Sequence, residues 1–147
     1  MQALQQLFGN AMITAPAVAW VAAQVAKTLI DTARRRRFNP RQLTATGGMP
    51  SSHSAFVACL ATAAARTQGM DSPVFAVAFA LAAVVMYDAS GVRQAVDKQS
   101  EILTHLLSHV PRTPDAFDRF LEGLVGHTRL QVLAGGLLGI LVAALLT

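Results

Sequence analysis

A chain of 147 residues has room for one domain and not for two. Apolar residues make up 53% and charged residues 14%, against roughly 25% charged in an average soluble domain, which argues against a water-soluble fold. The net charge of +4 does not point to nucleic acid, because the Lys and Arg residues fall between apolar blocks and read as a membrane-topology signal.

Four stretches carry no charged side chain: 11–26, 55–65, 73–87 and 132–146. Each extends to near the ~20 residues that cross a hydrocarbon core as a helix, and the Ala-rich ones are short enough to imply tilt or local thinning. None shows the polar stripe of a helix in a soluble bundle. The predicted spans are 8–30, 52–68, 72–87 and 126–146. Segment 1–10 holds no Lys or Arg, so no cleaved signal peptide is expected. Cys59 is the single cysteine and lies inside an apolar block, which leaves no intramolecular disulfide.

The connection 31–51 is basic and ends in the breaker Gly47-Gly48-Met49-Pro50. Gly69-Met70-Asp71-Ser72-Pro73 is a tight turn with Ser72 or Asp71 as N-cap and Pro73 in the first turn. Within the second long connection, 88–125, one amphipathic surface helix is predicted over 92–109. Val92, Val96, Leu103 and Leu106 share one face, opposite Asp97, Lys98 and Glu101. The fold class is therefore an all-α integral membrane bundle of about four transmembrane helices plus one surface helix, in a single domain. Eleven of the twelve Lys and Arg residues fall on the side of the long connections, and only Arg66 on the other. This places the long connections in the cytoplasm, across a bacterial-type inner membrane.

Four distant segments then bring polar residues to one membrane depth. Gln24 and Lys27 lie near the end of the first span, and Pro50-Ser51-Ser52-His53-Ser54 opens the second. Tyr87-Asp88-Ala89-Ser90-Gly91-Val92-Arg93 closes the third, and Gly126-His127-Thr128-Arg129 opens the fourth. Ionisable groups at that depth are costly and mark a functional site by default. Cations, hydroxyls and helix starts favour an anion, and Gly47 and Gly48 let backbone approach it. Two histidines beside a bound phosphate divide phosphoryl transfer, one attacking phosphorus and one protonating the leaving oxygen. With no carboxylate cluster to hold a metal, no metal and no cofactor are expected; Lys and Arg would neutralise the transition-state charge. Glu101, His105 and His109 share a helical face at four-residue spacing, which exposed helix polarity explains better than a metal site. Lys27 could also snorkel to the headgroups, Arg93 could contact lipid, and 34–37 reads as a topology signal and anionic-lipid contact. Gly135 and Gly139 form a small-xxx-small helix-contact pattern.

The motifs Gly47-Gly48-Met49-Pro50-Ser51-Ser52-His53-Ser54-Ala55, Tyr87-Asp88-Ala89-Ser90-Gly91-Val92-Arg93 and Gly126-His127-Thr128 resemble the divergent branch of the type 2 phosphatidic acid phosphatase family. That family is related to acid phosphatases and vanadium-dependent haloperoxidases. The resemblance implies metal-independent removal of phosphate from lipid phosphates through a phosphohistidine. It implies His127 as nucleophile and His53 as general acid, with Lys27, Gly48, Ser51, Ser52, Ser90 and Arg93 around the phosphate. Typical members have Ser-Arg, five residues, His, three residues and Asp. Here Arg93 and His127 stand 34 positions apart, and Gln131 occupies the Asp position. Gln131, Asp88 and Glu122 are the candidates for orienting His127. The six-span core of the family is cut to about four spans, which implies completion by a second copy, a homo-oligomer in contact with membrane lipid.

Two function classes follow: a lipid phosphate phosphatase at the cytoplasmic face, and a non-catalytic lipid-phosphate-binding or structural membrane module that kept the pocket. The intact Ser52-His53 and His127 favour the first, and Gln131 favours the second.

Overall fold

The structure is a computed structural model that describes residues 1–36, 48–107 and 128–147, with the backbone alone for 35, 91–98, 100, 101 and 103–107. All five described elements are helices. The first, α1 (Gln2–Gly9), leaves Leu4, Leu7 and Phe8 exposed and ends at Asn10, whose backbone is extended. The Asn10 side chain accepts from the Met12 N–H at 2.9 Å and so caps α2 (Ala11–Arg35). After 25 residues α2 closes with Arg36 in the left-handed conformation at φ 52°. Next, α3 (Ser52–Gln68) is capped by Ser51 and ends at Gly69, at φ +90°. The expected cap of the following helix is present: the Ser72 hydroxyl accepts from the Phe75 N–H at 3.1 Å, and Pro73 opens α4 (Pro73–Leu107). Last comes α5 (Arg129–Leu146), capped by Thr128.

Two expectations are corrected here. The break between a third span and a surface helix is absent, because α4 runs unbroken for 35 residues, about 52 Å at 1.5 Å per residue. Ser90-Gly91 was the only weak point, and one helical glycine costs only about 1 kcal/mol relative to Ala. Good helix formers on both sides outweigh it. In addition, the described residues hold three helices long and apolar enough to cross a membrane, Ala11–Arg34, Pro73–Ser90 and Arg129–Leu146, where four were expected. The exception is α3, whose 17 residues include Ser52, His53, Ser54, Thr62, Arg66 and Thr67.

That shorter helix is the centre of the bundle, packed by α2, α4 and α5. Two of its hydroxyls are met within the helix itself: Thr62 and Thr67 donate to the carbonyls of Ala58 and Ala63. The core around it is made of small residues. Ala15, Ala19 and Ala23 of α2 meet Ala55 and Cys59 of α3 and Ala143 of α5. On the other side, Val57, Ala61 and Ala64 of α3 meet Ala78 and Ala82 of α4. Large apolar side chains point outward instead, with Val77, Phe79, Val84, Leu137 and Leu141 all exposed. Small residues inside and large apolar ones outside are what lipid surroundings favour, since hydrocarbon does not penalise an exposed Leu and close backbone approach supplies the packing.

The closest approach is between α3 and α5. A side chain at Gly135 would collide with the Ser51 carbonyl and reach Ser54 Cβ at 3.0 Å; one at Gly139 would collide with the Ala55 carbonyl and reach the Cys59 nitrogen at 2.9 Å. The small-xxx-small pattern thus serves a contact within the chain, at the end of the bundle where α3 begins.

Candidate functional site

The alanine stripe of α2 decides where Lys27 goes. Ala15, Ala19 and Ala23 recur every four residues on the face packed against α3 and α5, and Lys27 is the next position on that stripe. It is accordingly buried, at 1% exposure, and is not extended to the headgroups. Gly48 lies over its stem at φ +100°, and a Cβ there would come within 3.0 Å of Lys27 Cγ and 3.2 Å of Cδ. Both the conformation and the contact select glycine at this position.

Ser51, Ser52 and Ser54 are buried at the start of α3. The Ser51 hydroxyl oxygen accepts from the Ser54 N–H at 3.3 Å and from the Ser54 hydroxyl at 3.0 Å. The Ser51 N–H donates to the Gln131 carbonyl at 3.0 Å, which ties the opening turns of α3 and α5 together. At α5, Thr128 and Gln131 form a reciprocal capping box. The Gln131 N–H donates to the Thr128 hydroxyl oxygen at 3.2 Å, and the Thr128 N–H donates to Gln131 Oε1 at 2.9 Å. Gln131 was singled out as an orienting residue for His127; its described contact is this cap.

Met86 reaches toward Gly136, where a Cβ would lie 3.2 Å from Met86 Cε. Asp88 and Ser90, within about one turn of Met86, therefore lie toward the same end of the bundle. Asp88 is exposed, and the Ser90 hydroxyl donates to the Tyr87 carbonyl at 2.8 Å. His53 is exposed and leaves α3 on a different face from Ser51 and Ser54, beside Phe56 and Val57. Of the residues proposed from sequence, Lys27 and Gly48 are in contact, and Ser51 and Ser52 follow Gly48 by three and four positions, buried at the start of α3. Arg93 lies on α4, with its side chain outside the description. His127 and Glu122 fall outside the described residues, as does His109, and His105 is described in backbone alone.

Two further buried polar residues join this end. Gln24, on the turn before Lys27, is 7% exposed and its Oε1 has no hydrogen-bond partner among the described residues. Thr28 is buried and donates to the Gln24 carbonyl at 2.9 Å. Ser54 was visible in the motif but not assigned a role; its place one turn from Ser51 on the α5 side was the available signal. Chemically, an ammonium, three serine hydroxyls and the start of a helix form an environment for an anion.

The divergent PAP2 family model matches residues 8–142, a span that takes in α2 through most of α5. The chain belongs to the divergent PAP2 family. A membrane protein of Bacillus subtilis (strain 168), the uncharacterized YuiD, is 35% identical over 152 residues, covering 96% of each chain. No solved structure matches. The divergent PAP2 match and the likeness to a membrane protein agree with the inside-out packing described above, and the chain is a PAP2-like membrane protein.

Proposed function

We propose that this protein is a phosphatase acting on membrane lipid phosphates, with its site toward the cytoplasm. The observation that carries the reading is that Lys27 is buried against Gly48, three residues before the buried Ser51, Ser52 and Ser54 at the start of α3. Fixed donors in a site shielded from water stabilise a phosphoryl group in flight far more than donors in solvent do. In the proposed reaction an imidazole nitrogen of His127 attacks phosphorus, and the bond from phosphorus to the lipid oxygen breaks as His53 gives that oxygen a proton. Water, deprotonated by His53, then attacks the phosphohistidine; the phosphorus–nitrogen bond breaks and inorganic phosphate leaves. Lys27 and Arg93 balance the equatorial oxygens, with donors from Ser51, Ser52, Ser90 and the Gly48 backbone. Candidate substrates are phosphatidic acid, phosphatidylglycerophosphate, and polyprenyl phosphates or diphosphates.

A second reading, a non-catalytic lipid-phosphate-binding module, is favoured by Gln131, which is uncharged and takes part in the capping box of α5. Phosphate release by the purified chain from that panel separates the two. Release that vanadate inhibits and chelator spares, and that His53→Ala and His127→Ala each abolish without additive losses, is the result expected of the phosphatase. Full activity in His127→Ala would remove the phosphohistidine route, and lipid phosphate binding without release would favour the module.

A further inference from the structure

Between α2, α3 and α4 lies a cavity of about 630 Å³, lined by Ala17, Trp20 and Val21 of α2, Phe56 and Val57 of α3, and Val85 of α4, with His53 the one ionisable residue among the described lining residues. Its size falls in the ordinary range of ligand sites, roughly 300–1,000 Å³. Because α3 starts at the end of the bundle where Lys27 lies, His53 stands at that end and Val57 one turn deeper. Along α2, Lys27 and Ala17 are ten positions apart, about 15 Å at 1.5 Å per residue. That is half of a ~30 Å hydrocarbon core, the depth of one leaflet. The described lining is apolar apart from His53, and its deepest position on α2 lies one leaflet's depth from Lys27, so a hydrocarbon chain whose headgroup sits at the Lys27 end suits it.

We infer that this groove holds one hydrocarbon chain of the phosphorylated lipid while its phosphate sits among Lys27, Ser51 and Ser52. The inference rests on the lipid-phosphate reading of the site, and it adds a tail subsite that makes the protein read two features of its ligand at once. Phosphate alone lacks the apolar half, and a neutral lipid lacks the anion. A phosphorylated lipid of the facing leaflet satisfies both, with the leaving oxygen drawn toward His53, where the proton is needed.

Trp20 is the only tryptophan in the chain, and it reports on this groove directly. The full chain is reconstituted in phosphatidylcholine vesicles with a small, equal mole fraction of either phosphatidic acid or phosphatidylcholine carrying brominated acyl chains. Bromine quenches indole fluorescence only on near contact. Brominated phosphatidic acid is expected to quench Trp20 more than brominated phosphatidylcholine does. Ala17→Phe and Val21→Phe, both at exposed positions that leave the core untouched, are expected to abolish that excess by filling the groove. Equal quenching by the two lipids, or an excess that survives both substitutions, overturns the tail subsite. An excess removed by both substitutions in a protein that releases no phosphate supports the subsite and sinks the phosphatase reading. Phosphate release without any excess does the reverse.

Discussion

Gln131 shows how one residue can carry two loads. As the third residue of α5 its side chain accepts from the Thr128 N–H, and glutamate does this as well as glutamine in a capping box. A carboxylate there also faces the positive end of the helix, worth about 0.3–1 kcal/mol. Gln131→Glu is therefore expected to hold or raise the thermal stability, and to leave phosphate release intact or increase it by placing a charge four positions after His127. A drop in both would show that the amide N–H₂, which Glu lacks, is what the site uses. Gln24 is the converse case, a buried amide oxygen without a partner among the described residues. Such a group costs about 1–3 kcal/mol, so Gln24→Met should raise the unfolding temperature in detergent while lowering phosphate release if the amide serves the anion; a lower unfolding temperature would refute the first half. At this scale the sequence was legible where periodicity spoke. The alanines at 15, 19 and 23 carry the Lys27 position onto the buried face, whereas a lysine near a span end, read alone, leaves phosphate contact and snorkelling both open. The orphaned Gln24 oxygen could not be forecast, because hydrogen-bond satisfaction depends on neighbours from other helices.

Among the elements, α3 and α5 depend on each other most closely. Their backbones touch at Gly135 and Gly139, so Gly139→Leu must push the two helices apart or prevent their docking. Overpacking of this kind costs typically about 1–3 kcal/mol, and contact with backbone leaves little to yield. Gly139→Leu is expected to lower the unfolding temperature sharply, and even Gly139→Ala measurably; unchanged stability in both would remove this contact from the account. The pattern itself was legible as a helix contact, but not which helix it meets. The course of α4 was less so. Polar residues after Tyr87 suggest a helix leaving the membrane, yet polarity marks the water boundary and not the end of the hydrogen-bond ladder. Without a proline between Pro73 and Pro111, nothing stops the helix there.

For the whole molecule, lipid-facing surface and polar end together define an axis, and the charge pattern gives it a direction. Gly48 against Lys27, and the Ser51 N–H on the Gln131 carbonyl, put the end of α2 and the starts of α3 and α5 at one end of the bundle. Gly69–Ser72 makes the tight turn at the other. Arg34, Arg36 and Arg129 lie toward the first end, and Arg66, in the last turn of α3, toward the second. On the positive-inside rule, the proposed orientation has the site end in the cytoplasm and the α3–α4 turn outside. A Cys59→Ser background tests this, since Cys59 is the only thiol and a serine hydroxyl can donate to a carbonyl one turn back. Met70, exposed in the α3–α4 turn, should react as Met70→Cys with a membrane-impermeant maleimide added to intact cells. Exposed Arg34, as Arg34→Cys, should react only after the cells are opened; the change leaves ten Lys and Arg residues on its side, enough to hold the orientation. Labelling of Arg34→Cys from outside, with Met70→Cys protected until lysis, would invert the protein and move the proposed phosphate site to the outer leaflet.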